Sequence, residues 1–271
     1  EDDRARRLDR ELHLLERRAR DHIHRFLAAQ QADAAGIDDT FIVANGDVLT
    51  DLDVSQLLAF HRANDAEATI ALIGVPDPSA FGVVALDHAG RVERFVEKPA
   101  PGTAPSNLIN AGTYVLEPSV LARIPAGQKV SIERATFPAV VADGRLFAMA
   151  TDDYWLDTGR PELYLDANID VVTGRRRFDH CDAVHPSATV HPSAVITDSV
   201  VGAGCSVGEG VLLERSVLLP GAVVKAGARV VASVVMGDVG ERAELQGVVL
   251  GSDASVAAGE HLSDCRRPEP A

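Results

Sequence analysis

The sequence predicts an α/β protein in which a sheet covered by helices is followed by a left-handed parallel β-helix. Two observations support this prediction. In the earlier part of the chain, short apolar runs alternate with helical patterns, which is typical of α/β folds. From residue 183 onward, aliphatic residues recur every six positions among small residues, which is typical of the three-sided coils of a β-helix.

The composition limits the classes of partner. The chain has 271 residues, enough for one or two domains with a sizeable core. A formal net charge of -14 without a basic stripe argues against nucleic acid or an anionic membrane. The 3 cysteines lie far apart, and neither a secretion signal nor a membrane-spanning run is visible. We therefore expect a cytoplasmic protein.

An amphipathic helix is predicted for residues 1–36. Its apolar residues recur at steps of three and four among arginines and acids, so we expect it to lie on the domain or on a partner subunit. The domains predicted after it are a partial α/β domain over 37–174, a β-helix over 183–262 and a disordered tail over 263–271.

The run Phe41–Ala44 predicts the central strand. Four apolar residues without polar alternation indicate a short strand buried on both faces, as in parallel sheets. Asn45 and Gly46 end this strand, and Asp47 follows at the edge where open α/β sheets bind ligands. Taken alone, Asp47 is compatible with an ordinary turn as well as with a functional site.

The elements after this strand follow from apolar runs and helix-start signals. A strand, a helix and a strand in succession imply a right-handed crossover and a parallel sheet. Ser131 is a predicted N-cap, and Pro161 occupies a predicted first helical position. The predicted order is a helix over 53–64, strands over 68–74, 81–86, 91–96 and 110–116, helices from 118 and 131, strands over 146–150 and 154–157, and a helix from 161.

Two superimposed periodicities predict the β-helix. The first is the hexapeptide spacing of aliphatic residues, found at Val184, Val190, Ile196, Val201, Val207, Leu213 and Leu219. The second is a longer repeat of 17 residues, in which Ser199, Ser216 and Ser233 are each followed by two aliphatic residues. Because the aliphatic positions fill the inside of the coils, this pattern indicates architecture and says little about chemistry.

Five motifs, read together, resemble a known enzyme family. They are Asn45-Gly46-Asp47, Phe81-Gly82-Val83-Val84, Phe95-Val96-Glu97-Lys98-Pro99, Ile109-Asn110-Ala111-Gly112-Thr113-Tyr114 and Trp155-Leu156-Asp157-Thr158-Gly159. In this order and followed by hexapeptide repeats, they resemble the sugar-1-phosphate nucleotidyltransferases, in particular the mannose-1-phosphate guanylyltransferases. The resemblance covers roughly residues 38 to 262 and implies a Rossmann-like nucleotidyltransferase sheet.

The resemblance implies a metal and phosphate site. Asp47 and Asp157 would together hold a catalytic Mg²⁺, and Lys98 would meet the sugar phosphate. This agrees with the chemistry, because joining a sugar phosphate to a nucleoside triphosphate brings two polyanions together. Mg²⁺ commonly takes one or two carboxylates and leaves its other positions to water and phosphate. Without the other motifs, Lys98 would be read as a solvated charge at a strand end.

The resemblance also implies contacts to the sugar. Glu97, Asn110 and the backbone around Gly82 and Gly112 would touch it. Each has a structural alternative, since Asn110 could cap a strand and the glycines could belong to bulges. Glu133 is a further possible sugar contact, although an exposed acid in the first turn of a helix is the expected role.

One part of the family pattern is not found. The family begins with a strand and a glycine-rich loop that wraps the triphosphate, and no such loop precedes Phe41. We therefore expect an N-terminally truncated sheet and little turnover by the chain alone, because positioning the triphosphate is most of the catalysis.

Three functions remain open at the level of sequence. The leading one is formation of an NDP-sugar, with GTP and mannose 1-phosphate giving GDP-mannose and pyrophosphate. The second is a non-catalytic relative that binds sugar phosphate and acts in assembly or regulation. The third is an acyltransferase that uses the β-helix. It would need a catalytic histidine, but the expected role of His185 and His191 is to shape the first coil. Self-association through the β-helix or the N-terminal helix is also expected.

Overall fold

The computed structural model describes residues 36–125, 130–176 and 181–269. They form two compact units, of which the first ends at Trp155 and the second begins at Leu156. The helix predicted for residues 1–36 lies outside the described residues, of which Gly36 is the first.

The first unit contains the elements that the apolar runs predict. Asp53 starts the first helix by accepting hydrogen bonds from the N–H groups of Ser55 at 2.9 Å and Gln56 at 3.3 Å. The elements are β1 (Phe41–Ala44), β2 (Val48–Thr50), α1 (Val54–Ala63), β3 (Ala68–Gly74), β4 (Gly82–Leu86), β5 (Val92–Glu97), β6 (Leu108–Leu116), a 3₁₀ helix (Pro118–Arg123), a π-helical turn (Ile132–Thr136), α2 (Phe137–Ala142) and β7 (Leu146–Thr151).

The sheet of the first unit is mixed. Its strand order is β5-β4-β6-β3-β7, and β1 pairs with β6. β3 and β7 are parallel, whereas β6 is antiparallel to β1, β3 and β4. β1 and β3 therefore run in the same direction, as the predicted crossover requires, but β6 lies between them. The prediction of a parallel sheet is wrong in this respect, because β6 inserts antiparallel between the two strands.

Helices cover both faces of this sheet. On one face, Phe137 and Val140 of α2 pack against Ile70 of β3 and Tyr114 of β6. On the other face, Leu57 of α1 packs in a cluster with Ala71, Ala111 and Val115. The alternation of neighbouring residues between the two clusters is the two-residue period of strands.

β1 is less buried than its composition predicts. Its residues alternate between half-buried and exposed, and Ile42 is 45% exposed. Phe41 and Val43 pack against the cluster that contains Phe137. The prediction of burial on both faces is therefore wrong. An apolar run shows which residues could be buried, but it does not show how many elements pack against the strand.

The second unit is a helix followed by a β-solenoid of about five coils, which confirms the predicted change of architecture. The helix is α3 (Pro161–Val172), with its proline in the first turn as predicted. Before it, β8 (Trp155–Asp157) spans the boundary between the units. The solenoid has three parallel sheets of five strands each. The first contains β9 (Thr189–Val190), β12 (Ser206–Val207), β15 (Val223–Val224), β18 (Asp238–Val239) and β21 (Ser255–Val256). The second contains β10 (Val195–Thr197), β13 (Leu212–Glu214), β16 (Arg229–Val231), β19 (Glu244–Gln246) and β22 (His261–Ser263), and the third contains β11 (Val200–Val201), β14 (Val217–Leu218), β17 (Val234–Val235), β20 (Val249–Leu250) and β23 (Arg266–Arg267).

Aliphatic side chains fill the coils, with one shift from the predicted spacing. Leu213 and Leu218 are buried inside, whereas Leu219 packs outside near α3. The hexapeptide spacing therefore assigns Leu219 wrongly. The shift follows from the corner at Arg215, which takes a left-handed conformation (φ 43°) and shortens the step.

The longer repeat has two structural roles. The buried serines form a ladder, in which Ser199 Oγ accepts a hydrogen bond from the N–H of Ser216 at 3.0 Å and Ser216 Oγ accepts one from Ser233 at 3.2 Å. The valines directly after them, including Val217 and Val234, face outward and pack against α3. The serines thus accept hydrogen bonds from buried backbone N–H groups, and the valines form the apolar surface on which the helix packs.

The solenoid continues beyond its predicted end. Arg266 and Arg267 form β23, and the N–H of Gly251 donates to the carbonyl of Arg267 at 2.8 Å. Arg267 also forms an ion pair of 2.7 Å with Glu260. The tail predicted to be disordered over 263–271 is therefore ordered up to the end of the described residues at 269, because one more coil edge was available for pairing.

Candidate functional site

The end of β1 is joined to an irregular point in β6. The N–H of Asn45 donates a hydrogen bond of 2.8 Å to the carbonyl of Gly112. Near this point the pairing between β3 and β6 shifts between Ile70 and Leu72, so β6 carries extra residues in a bulge. The bulge contains one predicted sugar contact, Gly112, and it begins directly after another, Asn110, which pairs with Leu72.

Gly112 occupies a position that other residues fit poorly. Its φ is +77°, a left-handed conformation that costs L residues energy. A Cβ atom there would lie 2.9 Å from Cγ of Asn45 and closer still to its amide nitrogen. Gly112 is therefore a bulge glycine, as the structural alternative predicts. The same bulge brings Asn45 against β6 at the predicted site.

The side chain of Asn110 is held at both ends of its amide. Its Oδ1 accepts a hydrogen bond of 2.9 Å from the N–H of Gly112. Its Nδ2 donates a hydrogen bond of 2.8 Å to the hydroxyl of Tyr114. Asn110 is only partly buried, whereas Tyr114 is buried, so the amide lies at the edge of the core in a fixed orientation.

Gly82 and Glu97 lie opposite each other in the β4–β5 hairpin. A Cβ atom on Gly82 would lie 2.8 Å from Oε2 of Glu97 and 2.8 Å from Cζ of Phe95. The absence of a side chain at Gly82 therefore lets the Glu97 carboxylate lie across the strand. These two predicted sugar contacts are brought together by the register of the hairpin.

Lys98 marks the point where the hairpin ends. It has a left-handed backbone (φ 49°), its N–H donates to the carbonyl of Phe81 at 2.9 Å, and its side chain is exposed. A left-handed lysine is strained, and such strain is common at functional sites. The turn places Lys98 next to Glu97 while Pro99 returns to the interior.

Trp155 connects the bulge to the start of the hairpin, a role that the sequence prediction did not include. Its Nε1–H donates a hydrogen bond of 2.8 Å to the carbonyl of Ala111. Its ring packs edge to face against Phe81, with 5.8 Å between ring centroids. The signal available in the sequence was that the 1 tryptophan of the chain stands two residues before Asp157.

The two predicted metal ligands lie in different units. Asp47 is partly buried between β1 and β2 in the first unit. Asp157 ends β8 in the second unit, and its Oδ1 accepts a hydrogen bond of 2.9 Å from the N–H of Gly159, which leaves Oδ2 as a donor for a cation. Their convergence stays a prediction.

These two carboxylates suit a hard cation in their chemistry. No group of three or more His, Cys, Asp or Glu side chains suited to a metal is found among the described residues. Mg²⁺ does not require one, because it is commonly held by one or two carboxylates together with water and phosphate oxygens. Asp47 and Asp157 are both partly exposed oxygen donors, so they fit this kind of site.

Glu133 differs from its predicted exposed position. It lies in the π-helical turn and is only 6% exposed, and the hydroxyl of Ser131 donates to its Oε2 at 3.2 Å. Ser131 also accepts a hydrogen bond from the N–H of Arg134, as the predicted N-cap. The prediction of an exposed acid is wrong because the turn is π-helical, which changes the direction of its side chains.

The two histidines of the first coil have a turn-forming role. Nδ1 of His185 accepts a hydrogen bond of 3.1 Å from the N–H of Ser187. Nδ1 of His191 accepts one of 3.2 Å from the N–H of Ser193. Both rings thus support the local turn, which does not favour the acyltransferase hypothesis.

Comparison with known families identifies the family of the chain. The Nucleotidyl transferase family matches residues 14–174, more than half of the chain. The chain belongs to the nucleotidyl transferase family. The GMPPB C-terminal domain matches residues 179–266, the region of the solenoid. The family matches confirm both the resemblance noted from the five motifs and the predicted succession of a nucleotidyltransferase sheet and a β-helix.

Three similar relatives of this nucleotidyl transferase are named for mannose 1-phosphate. The mannose-1-phosphate guanylyltransferase of Mycobacterium tuberculosis is 46% identical over 139 residues, which are 51% of this chain and 38% of the relative. A probable mannose-1-phosphate guanylyltransferase 1 of Oryza sativa subsp. japonica is 44% identical over 133 residues, 49% of this chain and 36% of the relative. The mannose-1-phosphate guanyltransferase of Hypocrea jecorina is 44% identical over 130 residues, 47% of this chain and 35% of the relative.

The matched region thus spans less than two-fifths of the length of each of these relatives. No helix among the described residues is both long and apolar enough to cross a membrane.

Proposed function

We propose that this nucleotidyl transferase chain acts in the formation of GDP-mannose from GTP and mannose 1-phosphate, and that its first unit binds the sugar 1-phosphate. The names of its relatives support the reaction. The observation that carries the proposal is the grouping of Glu97 across Gly82 and of Asn110 with Gly112 on strands β4, β5 and β6.

The sugar hydroxyls would be bound by side chains of both acceptor and donor character. The Glu97 carboxylate accepts hydrogen bonds, and the Asn110 amide offers both a donor and an acceptor. The missing Cβ atoms at Gly82 and Gly112 leave room for the side chains of Glu97 and Asn45 to lie against these strands. Charged and polar groups of this kind fix the orientation of a small ligand.

The phosphate would be bound by Lys98. Its ammonium group is exposed at the end of β5, directly after Glu97. In a chain with a formal net charge of -14, such a local cation is needed to bring in a polyanion. The left-handed backbone of Lys98 supports this role, because strained backbone is common at functional sites.

Asp47 and Asp157 would hold Mg²⁺, which when bound neutralises charge on the phosphates. In the reaction, an oxygen of the sugar phosphate attacks the α-phosphorus of GTP in line, a phosphorus–oxygen bond forms, and the bond to pyrophosphate breaks. The residues of this chain would contribute by orienting the sugar phosphate, since positioning and charge stabilisation dominate phosphoryl-type transfers.

Titration calorimetry of the purified chain with mannose 1-phosphate and Mg²⁺ tests the proposal. We expect binding that Lys98→Ala weakens by about tenfold or more, since a hydrogen bond to a charged group is lost. Inorganic phosphate serves as the control for a non-specific anion effect. Absence of binding by the wild-type chain would overturn the proposal.

The non-catalytic alternative differs in turnover. Pyrophosphate release with GTP, mannose 1-phosphate and Mg²⁺, abolished by Asp47→Ala, would support the enzyme. Binding without turnover would favour a relative that binds sugar phosphate in assembly or regulation. A cytoplasmic location and self-association stay predictions.

A further inference from the structure

Tyr114 is a buried polar residue that the proposed reaction does not use directly. It is 2% exposed, on the face of the sheet that α2 covers. Its ring packs against Phe137 with 5.3 Å between centroids, and Phe137 in turn packs against Phe95 at 5.8 Å. The position of the Tyr114 hydroxyl is therefore fixed by aromatic packing.

This fixed hydroxyl contacts a residue at the edge of the proposed sugar site. Nδ2 of Asn110 donates to it at 2.8 Å, and the N–H of Gly112 donates to Oδ1 of Asn110 at 2.9 Å. The backbone N–H can only donate, so it determines which end of the amide carries the oxygen. The hydroxyl then holds the other end, and the amide cannot rotate without losing one of the two bonds.

An amide fixed in this way offers a defined pair of groups to a ligand. Asn110 has two N–H donors and two acceptor lone pairs on its side chain, and the two bonds use one of each. One donor and one acceptor of this partly exposed side chain therefore remain for a ligand. Two neighbouring hydroxyls of a sugar ring present the complementary pair.

We propose that Tyr114 is a positioning residue, which holds the Asn110 amide in the orientation that reads neighbouring ring hydroxyls of a sugar 1-phosphate. This inference rests on the proposed function, since it assumes that a sugar 1-phosphate binds the first unit. It adds that the affinity for the sugar depends on a residue that does not touch it. Pre-orientation of this kind raises affinity by removing an ordering cost.

The test is a double-mutant cycle in the full chain, with the affinity for mannose 1-phosphate measured by titration calorimetry. We expect Tyr114→Phe to weaken binding about fivefold in the wild-type background, the equivalent of one neutral hydrogen bond. In the Asn110→Ala background the same substitution should change affinity less than about twofold, because residues that act through one another are not additive.

Two outcomes would overturn the inference. One is an unchanged affinity of Tyr114→Phe, and the other is an equal loss in both backgrounds, which a general structural effect would produce. Tyr164→Phe is the matched control, because Tyr164 is a partly buried tyrosine of the second unit, and this variant should bind mannose 1-phosphate as the wild type does. If the wild-type chain binds no mannose 1-phosphate, the proposed function fails first, which separates the two failures.

A second measurement applies if Tyr114→Phe does not fold. In the ¹⁵N-labelled wild-type chain without ligand, one Nδ2 proton of Asn110 should exchange with water more slowly than the other, because it is bonded to a buried hydroxyl. Equal and fast exchange of both protons would contradict the positioning role.

Discussion

At the scale of residues, the candidate site depends on two local features at the open end of the β4–β5 hairpin. Gly82 lacks the Cβ that would displace Glu97, and Lys98 adopts a left-handed turn. Both features affect the stability of the fold, and this effect can be measured separately from ligand binding. They therefore give matched experiments within the same hairpin.

Gly82→Ala should destabilise the first unit and weaken binding of mannose 1-phosphate. The new Cβ would lie 2.8 Å from both Glu97 and Phe95, and overpacking of this kind costs about 1–3 kcal/mol. The control is Gly74→Ala, whose Cβ would meet only the Asn107 side chain, at 3.6 Å, and should change stability by less than about 0.5 kcal/mol. Denaturant unfolding measures both, and equal stability of the two variants would contradict the packing at Gly82.

Lys98→Gly should change stability and binding in opposite directions. Glycine relieves the left-handed strain, so we expect up to about 1 kcal/mol of added stability, together with a loss of affinity for mannose 1-phosphate. Asp65→Gly is the control, because Asp65 has a similar φ of 46° after α1, and it should gain stability without losing affinity. Unchanged sugar-phosphate affinity in Lys98→Gly would show that the lysine is a solvated charge.

The sequence predicts the local pairing of the candidate site residues but not their contacts with distant parts of the chain. The pairing of Gly82 with Glu97 agrees with the short connection between the two strands predicted over 81–86 and 91–96. The contact of Trp155 with Ala111 is not predicted, because it joins residues distant in the chain and needs the β6 bulge. Glu133 was expected to be exposed because a π-helical turn has no simple sequence period.

At the scale of elements, a buried ion pair links the start of β3 to the 3₁₀ helix. Oε1 and Oε2 of Glu67 accept hydrogen bonds of 2.7 Å each from Arg123, and Glu67 is 4% exposed. Arg123 also pairs with Asp143 at 2.7 Å, and Arg145 lies 3.5 Å from Glu67. The Arg123 guanidinium holds the pKa of the Glu67 carboxyl below its usual range, despite burial.

This pair predicts part of the acid sensitivity of the fold. A carboxyl whose pKa is lowered on folding stabilises the protein above its unfolded pKa of about 4.3, and this stability is lost as pH falls through the folded value. Glu67→Gln should lower the free energy of unfolding at pH 7 by about 1.5–3 kcal/mol. The difference from the wild type should shrink below about pH 4.3.

Urea unfolding measured from pH 7 to pH 3 checks this dependence. Glu93→Gln, which replaces an exposed carboxyl on β5, should keep the wild-type profile. A constant difference between wild type and Glu67→Gln over the whole range would contradict the assigned role of the ion pair.

The helix α3 is predicted to be stabilised by packing on the solenoid more than by its surface ion pair. Ile169 is 1% exposed and packs with Val217 and Val234, so Ile169→Ala should cost about 2–5 kcal/mol. Asp166 pairs with Arg215 at 3.0 Å, but both are close to half exposed, and Asp166→Ala should cost less than about 1 kcal/mol. Thermal unfolding of both variants checks the order, and a larger effect of Asp166→Ala would contradict it.

The elements also show which sequence signals are reliable. Pro161 and Ser131 mark helix starts because their chemistry is local. The burial of β1 and the position of Leu219 depend on neighbours and corners that lie elsewhere in the fold. Periodicity therefore predicted the existence of these elements correctly and their burial less well.

At the scale of the whole molecule, sequence and packing divide the chain at different places. The family matches change between residues 174 and 179, close to the predicted boundary at 174. The compact units divide at Trp155, so α3 belongs to the nucleotidyl transferase match but packs on the solenoid. A helix with an apolar face belongs to the unit on which that face packs. Sequence similarity alone does not show which unit this is.

Manganese binding tests the central prediction, that Asp47 and Asp157 together hold one divalent ion. Free Mn²⁺ is counted by electron paramagnetic resonance during titration of the chain with mannose 1-phosphate present. We predict a single Mn²⁺ per chain, with affinity reduced by about tenfold or more in Asp47→Asn and in Asp157→Asn. Asp152→Asn, a nearby exposed aspartate, should bind as the wild type does. Wild-type Mn²⁺ affinity in either Asp47→Asn or Asp157→Asn would contradict this prediction.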